Sequence, residues 1–275
     1  MTRAALILAG GAGTRLRPLS SDDCPKQFLR LWHGRSLIGM TFDRLARVVP
    51  PEQIFISTNE RYRDLVIEHL PRLDAANVIA EPARRNTAPA IALCTFAIAD
   101  RLGDPAIGCF ASDHFIADEA EFGRIADRGY RFAETHDELV AIGISPTEPN
   151  TGFGYLELGE ELEPGVIRNV RFTEKPSPVK AEEFLRAGNY VWNAGMFLWR
   201  SSVFRAALRA AAPEIASVTL ANYESMPNIS IDYALMEKAP NVATIRGDFG
   251  WSDVGSWDAL RASGAEIPEH IVPEG

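Results

Sequence analysis

A glycine-rich segment near the N-terminus combines backbone freedom with positive charge. Residues 10–17 read Gly-Gly-Ala-Gly-Thr-Arg-Leu-Arg and come directly after the apolar run 4–8. Glycines accept positive φ angles and let backbone N–H groups approach an anion closely. The dinucleotide fingerprint needs a glycine where Leu16 stands, and the Gly-Lys-Ser/Thr of the P-loop is missing. We therefore predict a phosphate-binding loop of another type.

Two acidic side chains stand where a metal site would need them. Asp113 follows the predicted strand 107–111, and Asp253 lies between two tryptophans in residues 250–257, ahead of a predicted helix. Carboxylate oxygens are typical ligands of Mg²⁺, which also binds substrate phosphates. A helix cap or an Asx turn explains either aspartate equally well. The sequence makes them a candidate metal pair without showing that they meet, and His114 alone indicates only a structural histidine.

Two lysines lie beside these segments. Lys26 stands in Pro-Lys-Gln, just beyond the glycine loop, and Lys175 stands in Glu-Lys-Pro, after a predicted strand that ends at Phe172. A lysine ammonium is a point charge suited to a phosphate oxygen. Each is also explained as an ordinary solvated surface residue.

Three further polar side chains are candidates for recognition. Glu81 and Asn86 lie between a predicted strand and an alanine-rich helix, and a carboxylate there would match the adjacent N–H donors of guanine. Helix initiation also explains Asn86, with Thr87 as the predicted cap. Asn193 is one amide among apolar residues, which fits either a partner for sugar hydroxyls or a turn.

The charge distribution indicates a small anionic ligand. The chain has a formal net charge of −9, which argues against nucleic acid because that partner needs a basic surface. Residues 1–35 nevertheless contain six Lys or Arg against two Asp, a local balance of +4. A concentrated positive site on an acidic body suits a polyphosphate better than a polymer.

Composition places the chain among globular proteins. It has 275 residues, of which 46% are hydrophobic and 24% charged. No apolar run approaches the roughly 20 residues of a membrane span, and no signal peptide is evident, so we expect a cytoplasmic protein without a membrane partner. Three widely separated cysteines indicate neither a disulfide framework nor a metal site.

Apolar runs alternate with segments of helical period, which predicts an α/β fold. The predicted strands are 4–8, 54–58, 78–80, 107–111, 139–144, 155–158, 166–172, 196–199 and 242–245. The predicted helices lie near 37–48, 62–70, 88–100, 122–135, after Pro178, 202–212 and 231–237. Strand and helix repeat four times, so we expect a doubly wound, mostly parallel mixed sheet with helices on both faces. Ligands of such sheets lie beyond the carboxyl ends of the strands.

Taken together, these segments resemble the mannose-1-phosphate guanylyltransferases, or GDP-mannose pyrophosphorylases, of the sugar-nucleotidyltransferase superfamily. The resemblance rests on nine segments in the family's order: residues 10–18, 25–28, 81–92, 112–114, 151–155, 172–176, 192–197, 230–237 and 251–257. The glycine loop and first lysine are shared across the superfamily. Arg-Asn-Thr-Ala-Pro-Ala and Trp-Ser-Asp-Val-Gly-Ser-Trp resemble the guanylyl branch in particular.

The resemblance implies roles for individual residues and a GT-A-like, Rossmann-type fold. The implied contacts to GTP are Gly10, Gly11, Gly13, Thr14, Arg15 and Lys26 with the phosphates, and Glu81 and Asn86 with the base. The implied contacts to mannose 1-phosphate are Gly154, Glu174 and Asn193 with the sugar and Lys175 with its phosphate. The implied Mg²⁺ ligands are Asp113 and Asp253. The implied catalytic residues are Arg15, Lys26, Asp113, Lys175 and Asp253.

The implied reaction transfers GMP from GTP to mannose 1-phosphate and releases pyrophosphate. A heptose or glucose 1-phosphate is an alternative acceptor, and a catalytically silent, nucleotide-sugar-binding regulatory subunit is an alternative from another class. We expect one nucleotidyltransferase domain over residues 1–262 and a short tail over 263–275. Only 18 residues follow Trp257, so the β-rich C-terminal extension of many family members is expected to be absent. The resemblance also allows for a homodimer.

Overall fold

Nine of the eleven described strands form one large mixed sheet, which fixes where loops can meet. The computed structural model describes residues 1–11 and 13–268, so Ala12 of the glycine loop and residues 269–275 of the predicted tail lie outside the described residues. The strands are β1 (Arg3–Leu8), β2 (Ile54–Asn59), β3 (Val78–Glu81), β4 (Ala106–Ala111), β5 (Phe115–Ile116), β6 (Leu139–Ile144), β7 (Tyr155–Glu163), β8 (Val166–Thr173), β9 (Tyr190–Arg200), β10 (Val242–Gly247) and β11 (Trp251–Ser252).

The order within the large sheet is β3-β2-β1-β4-β9-β6-β10-β8-β7. The first four of these strands are mutually parallel, as are β6 and β10. Between the two parallel groups lies β9, antiparallel to both β4 and β6. The α/β class with a mixed sheet is confirmed, and each antiparallel pair among the described strands includes at least one strand from the second half of the chain.

Helices cover both faces of this sheet. They are α1 (Leu37–Leu45), α2 (Arg63–His69), α3 (Thr87–Leu102), α4 (Glu119–Thr135), α5 (Pro178–Ala187), α6 (Ser201–Ala211) and α7 (Trp257–Ala262). Along β1, Ala5 and Ile7 pack into the core under α1, α2 and α4, whereas Ala4 and Leu6 pack into the core under α3 and α6. This alternation follows from the two-residue period of a strand, so a strand buried on both faces is apolar throughout.

Three elements differ from the sequence predictions. Residues 231–237 were predicted as an ordinary helix, but Asp232–Met236 is a π-helix. The turn considered for Asn193 is wrong, because this residue lies inside β9. The short strands β5 and β11 were not predicted; they pair antiparallel, with Trp251 opposite Ile116 and Ser252 opposite Phe115. Two-residue strands carry too little periodicity to be read from sequence.

The parallel strands deliver the candidate residues to one edge. Leu8, Asn59, Glu81 and Ala111 are the carboxyl-terminal residues of β1 to β4, so the loops that follow them share this edge. The β5–β11 pair then brings the segment after residue 250 against the segment after β4. Among the described residues, no helix has the length and apolar character needed to cross a membrane.

Two glycines of α4 give a matched test of how tightly this helix packs on the sheet. A Cβ added at Gly129 would lie 2.9 Å from Cδ1 of the fully buried Leu198 on β9, whereas one at Gly123 would meet nothing within 4 Å. We expect Gly123→Ala to raise the free energy of unfolding by up to about 1 kcal/mol through helix propensity. Gly129→Ala should be at least about 1 kcal/mol less stable than Gly123→Ala because of overpacking. Equal gains in urea denaturation would contradict this packing.

Candidate active site at the carboxyl edge of the sheet

Three adjacent cavities open at this edge. The sheet-edge cavity, about 410 Å³, has Gly10 and Glu81 in its wall. The carboxylate cavity, about 260 Å³, is lined by Asp113 and Asp253 together. The aromatic cavity, about 380 Å³, is lined by Trp192, among others. A larger groove of about 580 Å³ lies beside α6 and contains none of the predicted site residues.

The glycine loop packs directly onto the segment that carries Lys26. Gly13 has φ of +62°, and a Cβ there would lie 2.6 Å from the backbone nitrogen of Lys26. A side chain at this position would therefore clash with backbone, in a conformation that already favours glycine. Thr14 and the exposed Arg15 follow in a 3-10 turn and line the carboxylate cavity.

The ammonium group of Lys26 joins parts of the chain that are far apart in sequence. Its Nζ lies 2.9 Å from Oδ2 of Asp113 and donates to the backbone oxygens of Asp253 at 2.6 Å and Val254 at 3.3 Å. An ammonium has three N–H donors, so all three are engaged. The lysine is buried, and the surface alternative for it is wrong.

This charge controls the ionisation of its neighbours. Burial raises the pKa of Asp113, but the charge of Lys26, followed by that of His114, outweighs burial and holds this pKa below its usual range. Burial lowers the pKa of His114, against the opposing effect of the Asp113 carboxylate. The arrangement favours an ionised Asp113 and a neutral His114 at pH 7.

The backbone around Asp253 is strained. Asp253 Oδ1 accepts a hydrogen bond from the N–H of Gly255 at 3.0 Å, which is an Asx turn. Between them Val254 has φ of +48° and is fully buried. A β-branched residue in this region is an outlier that persists only when its surroundings hold it. Here the carbonyls of residues 253 and 254 accept from Lys26, and the Val254 side chain packs into an apolar cluster.

Glu81 and Asn86 both line the sheet-edge cavity. Glu81 Oε1 accepts from Ser57 Oγ at 2.7 Å, and Oε2 accepts from the hydroxyl of Tyr223 at 2.6 Å. Burial raises the pKa of Glu81, and these two hydrogen bonds act in the opposite direction. Both bonds fix the orientation of the carboxylate, and each oxygen keeps a second lone pair.

Asn86, rather than Thr87, caps α3. Its Oδ1 accepts from the N–H of Thr87 at 2.8 Å, and it adopts φ of +65°. The predicted cap, Thr87, is therefore wrong: its hydroxyl accepts instead from the N–H of Ile231 at 2.9 Å. That contact attaches the start of α3 to the segment before the π-helix. With ψ of −172° the conformation of Asn86 is costly for any residue that has a side chain, so it persists because the surrounding structure holds it.

A second polar cluster brings together the residues predicted for the sugar. A Cβ at Gly154 would lie 2.5 Å from Oε2 of Glu174, so only glycine lets this carboxylate approach the backbone. Lys175 Nζ lies 3.1 Å from Glu174 Oε1. Asn193 Nδ2 donates to Asp232 Oδ1 at 2.9 Å, and Asn193 Oδ1 accepts from the N–H of Gly195 at 3.0 Å.

Two carboxyl groups of this cluster influence each other. Burial raises the pKa of Glu174, and the charge of Asp232 raises it further, while Lys175 acts in the opposite direction. Burial also raises the pKa of Asp232. The cluster therefore concentrates acceptors and one exposed cation at the end of the sheet-edge cavity, which Asp232 lines.

Some residues of these cavities were not singled out by sequence reasoning. Arg84 and Arg85 line the sheet-edge cavity beside Glu81, and Asp232 lines it from the π-helix. His114 lines both the sheet-edge and the carboxylate cavity. Two signals in the sequence could have pointed to these residues. His114 is adjacent to Asp113, and Asp232 lies inside one of the nine family segments. Their contacts depend on tertiary structure.

Replacement of Lys26 by methionine tests its structural part. We expect Lys26→Met to lower the free energy of unfolding at pH 7 by about 1–3 kcal/mol, because Asp113 loses its counterion and buried carbonyls lose a donor. The control Lys180→Met replaces an exposed lysine of α5 and should change this free energy by less than about 0.5 kcal/mol. Chemical denaturation measures both, and equal effects would contradict the assigned role.

At acid pH, the difference in the free energy of unfolding between the wild type and Lys26→Met should become smaller. In the wild type the lowered pKa of Asp113 means that its stabilising contribution is complete at pH 7 and is lost as the pH falls through that pKa. Without the lysine, burial raises the pKa of Asp113. The carboxyl group of the variant is therefore protonated at a higher pH than that of the wild type, which removes its unpaired charge. A difference that stays constant between pH 7 and about 4 would show that loss of the ion pair does not cause it.

Comparisons with known proteins agree with this geometry. The profile of the nucleotidyl transferase family matches residues 4–269. A putative mannose-1-phosphate guanylyltransferase of Vibrio cholerae is 38% identical over 93% of this chain and 59% of its own length. A mannose-1-phosphate guanylyltransferase of Sinorhizobium fredii is 39% identical over 92% of this chain and 53% of its own length. The chain thus spans a little over half the length of these curated relatives.

A solved structure extends the likeness to the fold. The crystal structure described as a mannose-1-phosphate geranyltransferase from Thermus thermophilus superposes with a TM-score of 0.88 and is 36% identical, covering 98% of this chain and 81% of that one. Sequence, fold and the arrangement of the edge residues thus agree. The chain belongs to the nucleotidyl transferase family.

Proposed function

We propose that this chain transfers GMP from GTP to mannose 1-phosphate, giving GDP-mannose and pyrophosphate. The observation that carries the proposal is the carboxylate cavity, where Asp113, Asp253 and the ammonium of Lys26 meet beside the glycine loop. The names of the relatives from Vibrio cholerae and Sinorhizobium fredii support the choice of nucleotide and sugar. We further propose that residues 1–262 form a single catalytic domain; the homodimer and the cytoplasmic location stay predictions.

Two of the three cavities divide the nucleotide between them. The sheet-edge cavity takes the guanosine, with Glu81 facing the adjacent N–H donors of the base and Asn86 beside it. The carboxylate cavity takes the phosphates, against Gly13, Thr14 and Arg15. Gly10 and Gly11 line the sheet-edge cavity and belong to the same loop as Gly13, which suits backbone contact to the phosphate chain.

The second polar cluster takes mannose 1-phosphate. Glu174 accepts hydrogen bonds from sugar hydroxyls, and the Asn193 amide accepts from them or donates to them. The exposed Lys175 contacts the phosphate. Gly154 allows Glu174 to lie against the backbone and offers its own N–H. Hydrogen-bonding sites of this kind discriminate strongly, because a sugar without the matching hydroxyl leaves buried polar groups unpaired.

The side chains fit a divalent metal ion. Among residues 1–11 and 13–268, no group of three or more His, Cys, Asp and Glu could enclose a metal. Mg²⁺ does not need such a cage, because it takes one or two carboxylates and completes its shell with water and substrate phosphates. Asp113 and Asp253 supply two carboxylates to one cavity, and Asp113 already faces a cation. When bound there, Mg²⁺ would neutralise charge on the phosphates.

The reaction needs charge neutralisation more than proton transfer. An oxygen of the sugar phosphate attacks the α-phosphorus of GTP, the new P–O bond forms, and the bond to the β-phosphate bridging oxygen breaks to release pyrophosphate. A phosphate monoester has its second pKa near 6, so the nucleophile is already ionised at pH 7. The charges of Arg15, Lys26 and Lys175 reduce the repulsion between the two anions, and the exposed Arg15 and Lys175 orient them by contact.

The substrate assignment is tested by an assay of pyrophosphate release. GTP, ATP and UTP are each combined with mannose, glucose and heptose 1-phosphate in the presence of Mg²⁺. We expect GTP with mannose 1-phosphate to give the highest kcat/KM. Activity confined to ATP or UTP would overturn the guanylyl assignment, a preference for another sugar would overturn the mannosyl one, and ligand binding without any release would favour a regulatory subunit.

The carboxylate pair is tested by Asp113→Asn and Asp253→Asn. Each should lower kcat by about 10²–10³-fold, as loss of about 3–4 kcal/mol of electrostatic stabilisation would do, with the fold intact by circular dichroism. The matched control is Asp258→Asn, five positions beyond Asp253, because the Asp258 side chain is 94% exposed and lines none of the three cavities. Near-wild-type turnover in either site variant at saturating Mg²⁺ would exclude that residue as a ligand.

A further inference from the structure

One hydrogen bond fixes which ring nitrogen of His114 carries a proton. Trp251 Nε1 lies 3.1 Å from His114 Nδ1, and the ring planes are nearly perpendicular, at 89°. An indole N–H is a donor only, so Nδ1 must accept. A neutral imidazole that accepts at Nδ1 carries its hydrogen on Nε2. Trp251 thereby makes His114 a hydrogen-bond donor through Nε2–H.

The surroundings of Trp251 hold it in this position. Its backbone pairs with Ile116, two residues beyond His114, in the β5–β11 ladder. Its indole contacts the ring of Phe153 at 5.1 Å between centroids, and Phe153 contacts Trp192 at the same distance. Packing in such an aromatic chain restricts rotation of the indole, so the direction of its N–H is set before any ligand binds.

His114 stands where the two nucleotide cavities join. Asp113 and His114 are the residues that line both the sheet-edge cavity and the carboxylate cavity. Among the described residues, the His114 side chain forms one hydrogen bond, the one with Trp251. A Cβ placed on Gly195 would lie 3.9 Å from His114 Cε1, so this edge of the ring is not crowded by β9.

We propose that His114 Nε2–H donates a hydrogen bond to an oxygen of the α-phosphate of the bound nucleotide. The proposal rests on the proposed function: with the nucleoside in the sheet-edge cavity and the terminal phosphates in the carboxylate cavity, the α-phosphate lies at their junction. This bond strengthens as charge develops during attack on the α-phosphorus, and no proton is transferred. Trp251 is the positioning residue that holds the donor tautomer.

Kinetics of three variants test the donor. Phenylalanine in His114→Phe keeps a ring without a donor, whereas glutamine in His114→Gln places an N–H close to the position of Nε2. We expect kcat for GTP to fall about 10²–10³-fold in His114→Phe, with KM raised by a much smaller factor, and to recover to within tenfold of wild type in His114→Gln. Trp251→Phe, which keeps the ring and loses the N–H, should lower kcat by at least threefold. The control is His136→Phe at the C-terminal end of α4.

Binding measurements separate this proposal from the proposed function. By calorimetry without metal, His114→Phe should weaken GMP binding at least fivefold and leave guanosine binding unchanged, while His114→Gln binds GMP as the wild type does. This outcome supports the donor even if no substrate pair releases pyrophosphate. Unchanged GMP affinity in His114→Phe, equal losses for GMP and guanosine, failure of glutamine to rescue, or no GMP binding by the wild type would each overturn the proposal.

Discussion

The buried ammonium of Lys26 is the contact on which the candidate site depends. Its three bonds join the segment after the glycine loop to Asp113 at the end of β4 and to the strained turn at residues 253 and 254. Without a cation at this point, an ionised Asp113 would face backbone carbonyls, an arrangement that burial makes costly. The two aspartates share a cavity because one lysine binds to both of their segments.

Several unusual backbone conformations occur in the segments that carry candidate site residues. Gly13, Asn86, Lys175 and Val254 have positive φ and lie in such segments, whereas His33, which also has positive φ, lies outside them. Such conformations cost free energy, most of all at a β-branched residue, and persist where the surrounding structure determines them. Two of the four are explained by contacts: Val254 is held by Lys26, and Gly13 is required by the closeness of the Lys26 backbone.

Local sequence predicts much of this arrangement, and the rest depends on tertiary contacts. The apolar runs and the Gly-Gly-Ala-Gly turn predict β1 and its loop, since periodicity and glycine content are local properties. The β5–β11 pair, two residues in each strand, has no such signature, although it brings Trp251 to His114. Asparagine and glycine are common in turns, so the sequence left a turn open at Asn193. Asn193 and Gly195 instead lie inside β9, where Gly195 has positive φ. Thr87 was predicted as the cap of α3, but its hydroxyl accepts from the N–H of Ile231, a tertiary contact that local sequence does not show.

We propose that Asp113 and Asp253 form one metal site beside the glycine loop. Anomalous diffraction from crystals grown with GTP and Mn²⁺, which substitutes for Mg²⁺ at oxygen ligands, tests this site. We expect an anomalous peak within bonding distance of both carboxylates, with phosphate oxygens completing the shell. A peak bound to neither aspartate, or a nucleotide bound with its phosphates outside the carboxylate cavity, would contradict it.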